Sequence, residues 1–363
     1  MSPPRTLVVH SADDANRTLS YQLGWPEALE RDLTLGAETV NLSVRGAAAG
    51  LTARSLLGRR RFDAVLLLHS VFSNVRNLSG HAFEAIRRLD APKVYFIGNE
   101  YKLMPEKMAF AEELGVNLLV TQIASPEVAG LYRARLGCEV EYISNTGIDP
   151  EVFAARTPWH DRPIEIGYRG FDAPLYLGHI DRRRLPEAFL NAQERLALRL
   201  DISLDAEARF DVQGWAAFLN RCRGTIGCEA GTDYFELDDR TRHGVNAYVE
   251  ANADASFEDV WERYFRSYSN PVSGRTISGR IIEAAATGTV QILLEGDYAG
   301  HFVPGEHYIP LRKDYANLDE AVACLRDEAR SSQLAEAARV VALEQFAWPV
   351  LIGQLRSALR RIS

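Results

Sequence analysis

The chain alternates short apolar runs with amphipathic stretches, halts, and then begins the same alternation again. In the first half, Thr6–His10, Thr39–Leu42, Ala64–His69, Val94–Ile97, Leu118–Thr121 and Val140–Ile143 read as strands. They are rich in Val, Ile and Leu and do not alternate strictly with polar residues. Both faces are therefore expected to be buried, as in a parallel sheet. Helical patterns near 18–33, 50–59, 78–90, 105–115 and 125–137 separate them, with Gly115 and Gly137 placed to stop two of the helices. This alternation predicts a doubly wound α/β domain over residues 1–150. The connector Ser144-Asn145-Thr146-Gly147-Ile148-Asp149-Pro150 ends it, and Thr157-Pro158 to Pro163 prolongs the turn-rich stretch.

The second half, 151–345, restarts the pattern. Strands are expected at Ile164–Tyr168, Phe210–Val212, Thr225–Cys228 and Val290–Leu294, and helices at 184–200, 215–222, 281–286, 317–330 and 332–345. A last helix, 349–362, opens at Pro349. Residues 232–276 break the alternation and read as a helical insertion, with helices at 240–252 and 256–265. The expectation is an α/β protein of two Rossmann-like doubly wound domains facing a cleft. A length of 363 residues suits two domains.

Charge and cysteines narrow the function classes. The net charge of −8 argues against a non-specific nucleic-acid partner. Cys138, Cys222, Cys228 and Cys324 lack zinc-knuckle or redox spacing, which suits free thiols in a reducing cytoplasm. No run of about 18 apolar residues or signal core is present, so a cytoplasmic protein is expected. There is no Walker A loop, no HExxH, no Gly-x-Ser-x-Gly and no Gly-x-Gly-x-x-Gly after the first strand. The eight histidines form no metal-spaced cluster, and no metal site is expected.

In open α/β sheets, ligands bind at the carboxyl ends of strands. Three such loops in the second half carry pointed chemistry: Gly167-Tyr168-Arg169-Gly170, Gly227 to Asp233, and Thr276-Ile277-Ser278-Gly279-Arg280. The third opens a helix. Ser278 and Gly279 would offer free N–H groups to an anion, and Arg280 and Arg169 would add charge-assisted hydrogen bonds. Glu283, one turn in, is placed to accept from vicinal hydroxyls such as those of a ribose. Gln213 beside Trp215 would lie near a nucleotide base, and Asp233 near sugar hydroxyls.

Ile143-Ser144-Asn145-Thr146-Gly147-Ile148-Asp149-Pro150-Glu151-Val152-Phe153 resembles the interdomain connector of GT-B glycosyltransferases. Arg280-Ile281-Ile282-Glu283-Ala284-Ala285-Ala286-Thr287-Gly288 resembles their donor-site helix, and Val303-Pro304-Gly305-Glu306-His307-Tyr308 and Leu318-Asp319-Glu320-Ala321 resemble the segments C-terminal to that helix. The nearest branch is that of bacterial enzymes similar to spore-coat-maturation glycosyltransferases, of the family 1/4 type. The resemblance spans about residues 140–325. It implies that Glu283 holds the donor ribose, that Arg169 lies near the donor diphosphate, and that Ser278 and Gly279 meet that diphosphate. It also implies a last helix, 346–363, packed back on the first domain. The chain departs from the family in two places. Arg275 stands where retaining members usually carry a first glutamate, for which Glu229 is a substitute; and Arg182, Arg183 or Arg184 would have to replace a usual lysine.

The expected activity is metal-independent transfer of a sugar from a nucleotide-diphosphate sugar, with no further cofactor, to a glycan, a lipid-linked or a small-molecule acceptor. Weak membrane association is left open. Retention is preferred to inversion. An inverting enzyme needs a base at the acceptor hydroxyl, and Asp13, His69 and Glu100 are the candidates; Asn99, Tyr101 and Lys102 would line the acceptor side. The alternatives are a sugar-nucleotide epimerase of GT-B shape and a non-catalytic nucleotide-sugar-binding protein.

Overall fold

The computed structural model describes residues 4–13, 20–44, 46, 62–78, 80–270 and 272–362, so the helix expected near 50–59 lies outside the described residues. The first sheet has six parallel strands, β1 (Thr6–His10), β2 (Ala37–Asn41), β3 (Ala64–Leu67), β4 (Lys93–Phe96), β5 (Leu118–Thr121) and β6 (Glu139–Tyr142), in the order β2-β1-β3-β4-β5-β6. Every side chain of β1, β3, β4 and β5 is buried, as continuous apolar runs require. Helices α1 (Ser20–Arg31), α2 (Gly80–Arg87), α3 (Met104–Leu114) and α4 (Pro126–Leu136) connect them. Gly115 and Gly137 end α3 and α4 in the left-handed region, at φ 71° and 65°.

The second sheet, also parallel, contains β7 (Ile164–Arg169), β8 (Leu200–Ser203), β9 (Cys222–Gly227), β12 (Val290–Leu294) and β13 (Ile309–Leu311), ordered β13-β12-β9-β7-β8. Its helices are α5 (Asp181–Leu196), α6 (Val212–Leu219), α9 (Gly279–Ala286), α10 (Leu318–Arg326) and α11 (Glu328–Phe346). The strand expected at Phe210–Val212 does not form. Asp211 caps α6, accepting from Gly214 N–H at 2.8 Å, and the apolar residues after it turn into the helix; Leu200–Ser203 takes the edge of the sheet instead.

Between the halves of this sheet, β10 (Ala230–Thr232) and β11 (Gly274–Thr276) pair antiparallel and form the neck of the insertion. The insertion carries α7 (Arg240–Ala251) and α8 (Phe257–Val260), which runs into a wider π turn over Trp261–Phe265. Ser256 and Asp259 form a reciprocal capping box at the start of α8. Phe235, near the neck, is buried in the core of the first sheet, its ring 5.3 Å from that of Tyr132. The insertion thus reaches across the cleft.

A second bridge comes from α12 (Trp348–Ile362). Its Leu351, Ile352, Leu355, Ala358 and Leu359 complete the other face of the first sheet, each leucine or isoleucine contributing about 1.5–3 kcal/mol when fully buried. Trp348 lies against Gly24 and Gly147, where a β-carbon would overlap the indole. No helix among the described residues is long and apolar enough to cross a membrane.

Candidate active site

The carboxyl ends of both sheets open onto a cavity of about 460 Å³ between the domains, a normal size for a small-molecule site. On the second-domain side, the end of β7, the loop after β8 and the starts of α5 and α9 bring four arginines to it: Arg169, Arg182, Arg209 and Arg280. Arg182 and Arg209 stack on Phe171, with ring distances of 4.6 and 5.3 Å. Among the described residues, Arg209 Nε is buried with no acceptor. Burial pushes the Arg280 guanidinium below its ordinary value; Arg182 and Arg209 add repulsion, and Tyr168 and Glu283 act the other way. Three mutually repelling cations at one wall are costly unless an anion joins them.

Arg169 is different. Its Nε donates to Ala208 O at 3.1 Å, Nη1 to Tyr168 O and Asp201 O, both at 2.9 Å, and Nη2 to the Asp201 carboxylate at 2.7 Å. Its guanidinium also lies 4.3 Å over the ring of Phe218. The strand end did bring Arg169 to the cavity, but its donors are spent inside its own domain. Gly170 likewise extends the β7–β8 pairing, donating to Ser203 O at 3.0 Å.

Ser278 and Gly279 line the cavity at the start of α9, and the Ser278 side chain is not used as a cap. Gly279 lies against Thr146 of the connector with no room for a β-carbon. Glu283 is buried at the cavity floor. It accepts from Trp215 Nε1 at 2.8 Å and from Ser20 Oγ of α1. Burial pushes its carboxyl up to about 7, against the hydrogen bonds and Arg280, which favour the charged form.

Three other expected donor residues are not at this cavity. Glu229 faces away, accepting from Tyr298 N–H at 2.9 Å and packing on Gly296. Asp233 is paired with Arg275, which also reaches Asp181 at 3.0 Å, so the arginine at the usual first-glutamate position staples the insertion neck to α5. Gln213 lines a neighbouring cavity of about 310 Å³ beside Trp348. Of the arginine run, Arg183 pairs with Asp172 and Arg184 with Glu258, which leaves Arg182 facing the cavity.

The first-domain wall is built from the ends of β4 and β5 and the connector. Asn99, Tyr101 and Lys102 line it, joined by Asn74, Gln122 and Asn145. Asn99 has φ 48° and Leu103 φ 56°. This strained loop is clamped from beneath by the buried Lys107, whose Nζ donates to Gly98 O at 2.5 Å and to Asn99 O and Lys102 O at 2.9 Å. Burial brings Lys107 down to about 7.

The three candidate bases are poorly placed for that role. Glu100 lies on the cavity margin, but it accepts from Thr121 Oγ1 at 2.6 Å, Tyr132 OH at 2.7 Å and Gln122 N–H at 2.7 Å. His69 is 1% exposed, away from the cavity, with burial lowering its pKa to about 3. Asp13 is exposed at the end of β1, outside the cavity lining. Among the described residues, no group of three or more His, Cys, Asp or Glu side chains could hold a metal ion.

Two Rossmann-like domains with parallel sheets, a cleft between their strand ends and a returning last helix define the GT-B fold. Residues 215–355 match the glycosyl transferase-like family. Similar solved structures include sucrose-phosphate synthase from Thermosynechococcus elongatus, at TM-score 0.53 and 11% identity, covering 99% of this chain and all of that one. HepE of Anabaena, in complex with UDP, matches at 0.52 and 11%, again over 99% and 100%. A glycosyltransferase from Rickettsia africae matches at 0.53 and 10%, over 100% and 99%. No curated protein sequence matches the chain. The protein is an enzyme of the glycosyltransferase class with the GT-B fold.

Proposed function

We propose that the protein transfers a sugar from a nucleoside-diphosphate sugar, with retention and without a divalent ion. The observation that carries this reading is the convergence of Arg182, Arg209 and Arg280 on the cavity beside the start of α9, with Arg209 Nε buried and without an acceptor among the described residues. Such a wall stabilises a diphosphate, and more so as negative charge builds on the leaving group. Glu283, a turn further, accepts from the ribose hydroxyls, with Ser20 and Trp215 already marking its two oxygens. HepE, a structural relative, was solved with UDP and with UDP-glucose, which supports this donor class.

During transfer the bond from the anomeric carbon to the diphosphate oxygen breaks, and the acceptor oxygen takes its place. The acceptor's proton needs a destination. His69, Glu100 and Asp13 are buried, occupied or outside the cavity. The departing diphosphate oxygen therefore receives the proton, on the same face of the sugar. Closure of the cleft over an oxocarbenium-like centre would exclude water.

Calorimetric titration with UDP and UDP-glucose in chelator tests the reading. Measurable binding is expected, weakened about 10- to 100-fold by Arg209→Ala, since a hydrogen bond to a charged group is worth about 1.5–3 kcal/mol. Absence of binding of either probe and of the corresponding purine diphosphates would sink it.

A further inference from the structure

We propose that the acceptor is a neutral, polyhydroxylated molecule, a glycoside or polyol, read by the amide side chains of Asn74, Asn99, Gln122 and Asn145 beside Tyr101. The proposal rests on the donor reading above and assigns the opposite wall of the same cavity. Among the described residues, Lys102 is the one cation that lines this wall. Beside Tyr21, Tyr101, Lys102 and the fully engaged Glu100, it carries four amide side chains arranged in two linked pairs. Asn99 Nδ2 donates to Asn74 Oδ1 at 2.6 Å, and Asn145 Nδ2 donates to Gln122 Oε1 at 2.8 Å. Tyr101 OH donates to Asn99 Oδ1 at 3.2 Å, and Gln122 Nε2 to Ile97 O at 2.9 Å.

These bonds fix each amide's orientation and still leave N–H donors on Gln122 and Asn145 and lone pairs on Asn99. Mixed donors and acceptors at fixed spacing match hydroxyl groups, each of which both donates and accepts. They do not match a phosphate, which only accepts and calls for charge. Lys102 is one cation on this wall, and burial together with Arg242 lowers its pKa. Nor does the wall suit a lipid tail: among the described residues, apart from the rings of Tyr21 and Tyr101, it presents no large apolar side chain to the cavity. The Tyr101 ring, 6.4 Å from Tyr176, offers a flat face for the C–H side of a sugar.

The test supplies the full chain with UDP-glucose, or the nucleotide sugar selected by calorimetry, and three acceptor probes: an alkyl glucoside, glycerol 3-phosphate and a short polyprenyl phosphate. Transfer to the glucoside alone is expected. Asn145→Ala and Asn74→Ala should each raise the acceptor KM about 10-fold while the donor KM stays within 2-fold; Asn74 is exposed, so its loss leaves the fold intact. Donor hydrolysis with no transfer to the glucoside, transfer to a phosphate-bearing probe instead, or an unmoved acceptor KM in both variants overturns the proposal and leaves the donor site standing. A protein that neither binds nor hydrolyses the donor removes both.

Discussion

The two walls of the cleft are held in opposite ways. On the first-domain side the cleft loop rests on partnered groups. Phe235 packs on Tyr132, Tyr132 donates to Glu100, Glu100 accepts from Gln122 N–H, and Lys107 clamps the Gly98–Lys102 loop. On the second-domain side Arg182, Arg209 and Arg280 converge beside the single buried carboxyl of Glu283, and Arg209 Nε is buried with no acceptor among the described residues. In the reading proposed above, one wall is fixed in advance for neutral groups, and the other holds repulsion that a bound anion would relieve. A cleft of this kind gains affinity from charge on one side and selectivity from geometry on the other.

The largest effect is expected from breaking the support of the first wall. Phe235→Ala should cost about 3–5 kcal/mol of stability by leaving a cavity in the first-domain core; a change below 1 kcal/mol in denaturant unfolding would show that the insertion merely rests on that domain. Next, Arg280 and Arg169 set the comparison inside one wall. Arg280→Ala should lower kcat/KM by about 10²–10³, with an unchanged or raised melting temperature. Arg169→Ala should instead lower stability by about 2 kcal/mol, because Ala208 and Asp201 carbonyls lose a charged partner. Swapped outcomes in thermal melts and kinetics would reverse the two roles.

The smallest effect is a pH dependence. Glu283 is held near 7 from an ordinary 4.5. Ribose hydroxyls donate best to its ionised form, so donor affinity should rise about tenfold from pH 6 to pH 8. For stability the sign is opposite: between 4.5 and about 7 the folded protein holds the proton more tightly than the unfolded chain, and this contribution fades as pH rises through 7. In Glu283→Gln a flat affinity profile is expected; a slope that persists assigns it to another group.

Much of the fold was legible because its signals are local. Buried parallel strands are continuous apolar runs, and Gly115 and Gly137 stop helices by a backbone preference readable residue by residue. Phe210–Val212 was misleading because Asp211 turns the same residues into a helix start. The site was only half legible. Glu283, Ser278, Gly279 and Arg280 belong to one helix and its cap, so spacing placed them together. Arg169 stood at the expected strand end, but whether its donors were free depended on Asp201 and Ala208, more than thirty residues away. Arg209 carried no signal at all, since an irregular loop brings it to Phe171. Asn145 was visible only as a connector residue; its link to Gln122 is a property of the folded pair.

The seat of Trp348 and its helix on the first sheet has a consequence for how the molecule is made. The strands of that sheet are complete at Tyr142, but one face of its core waits for residues 348–362, about 200 residues later. At ribosomal speeds that is roughly 10–40 s during which a half-covered sheet emerges before its lid exists. A nascent chain arrested before Trp348 should therefore be protease-sensitive in its earliest residues, far from the point of arrest.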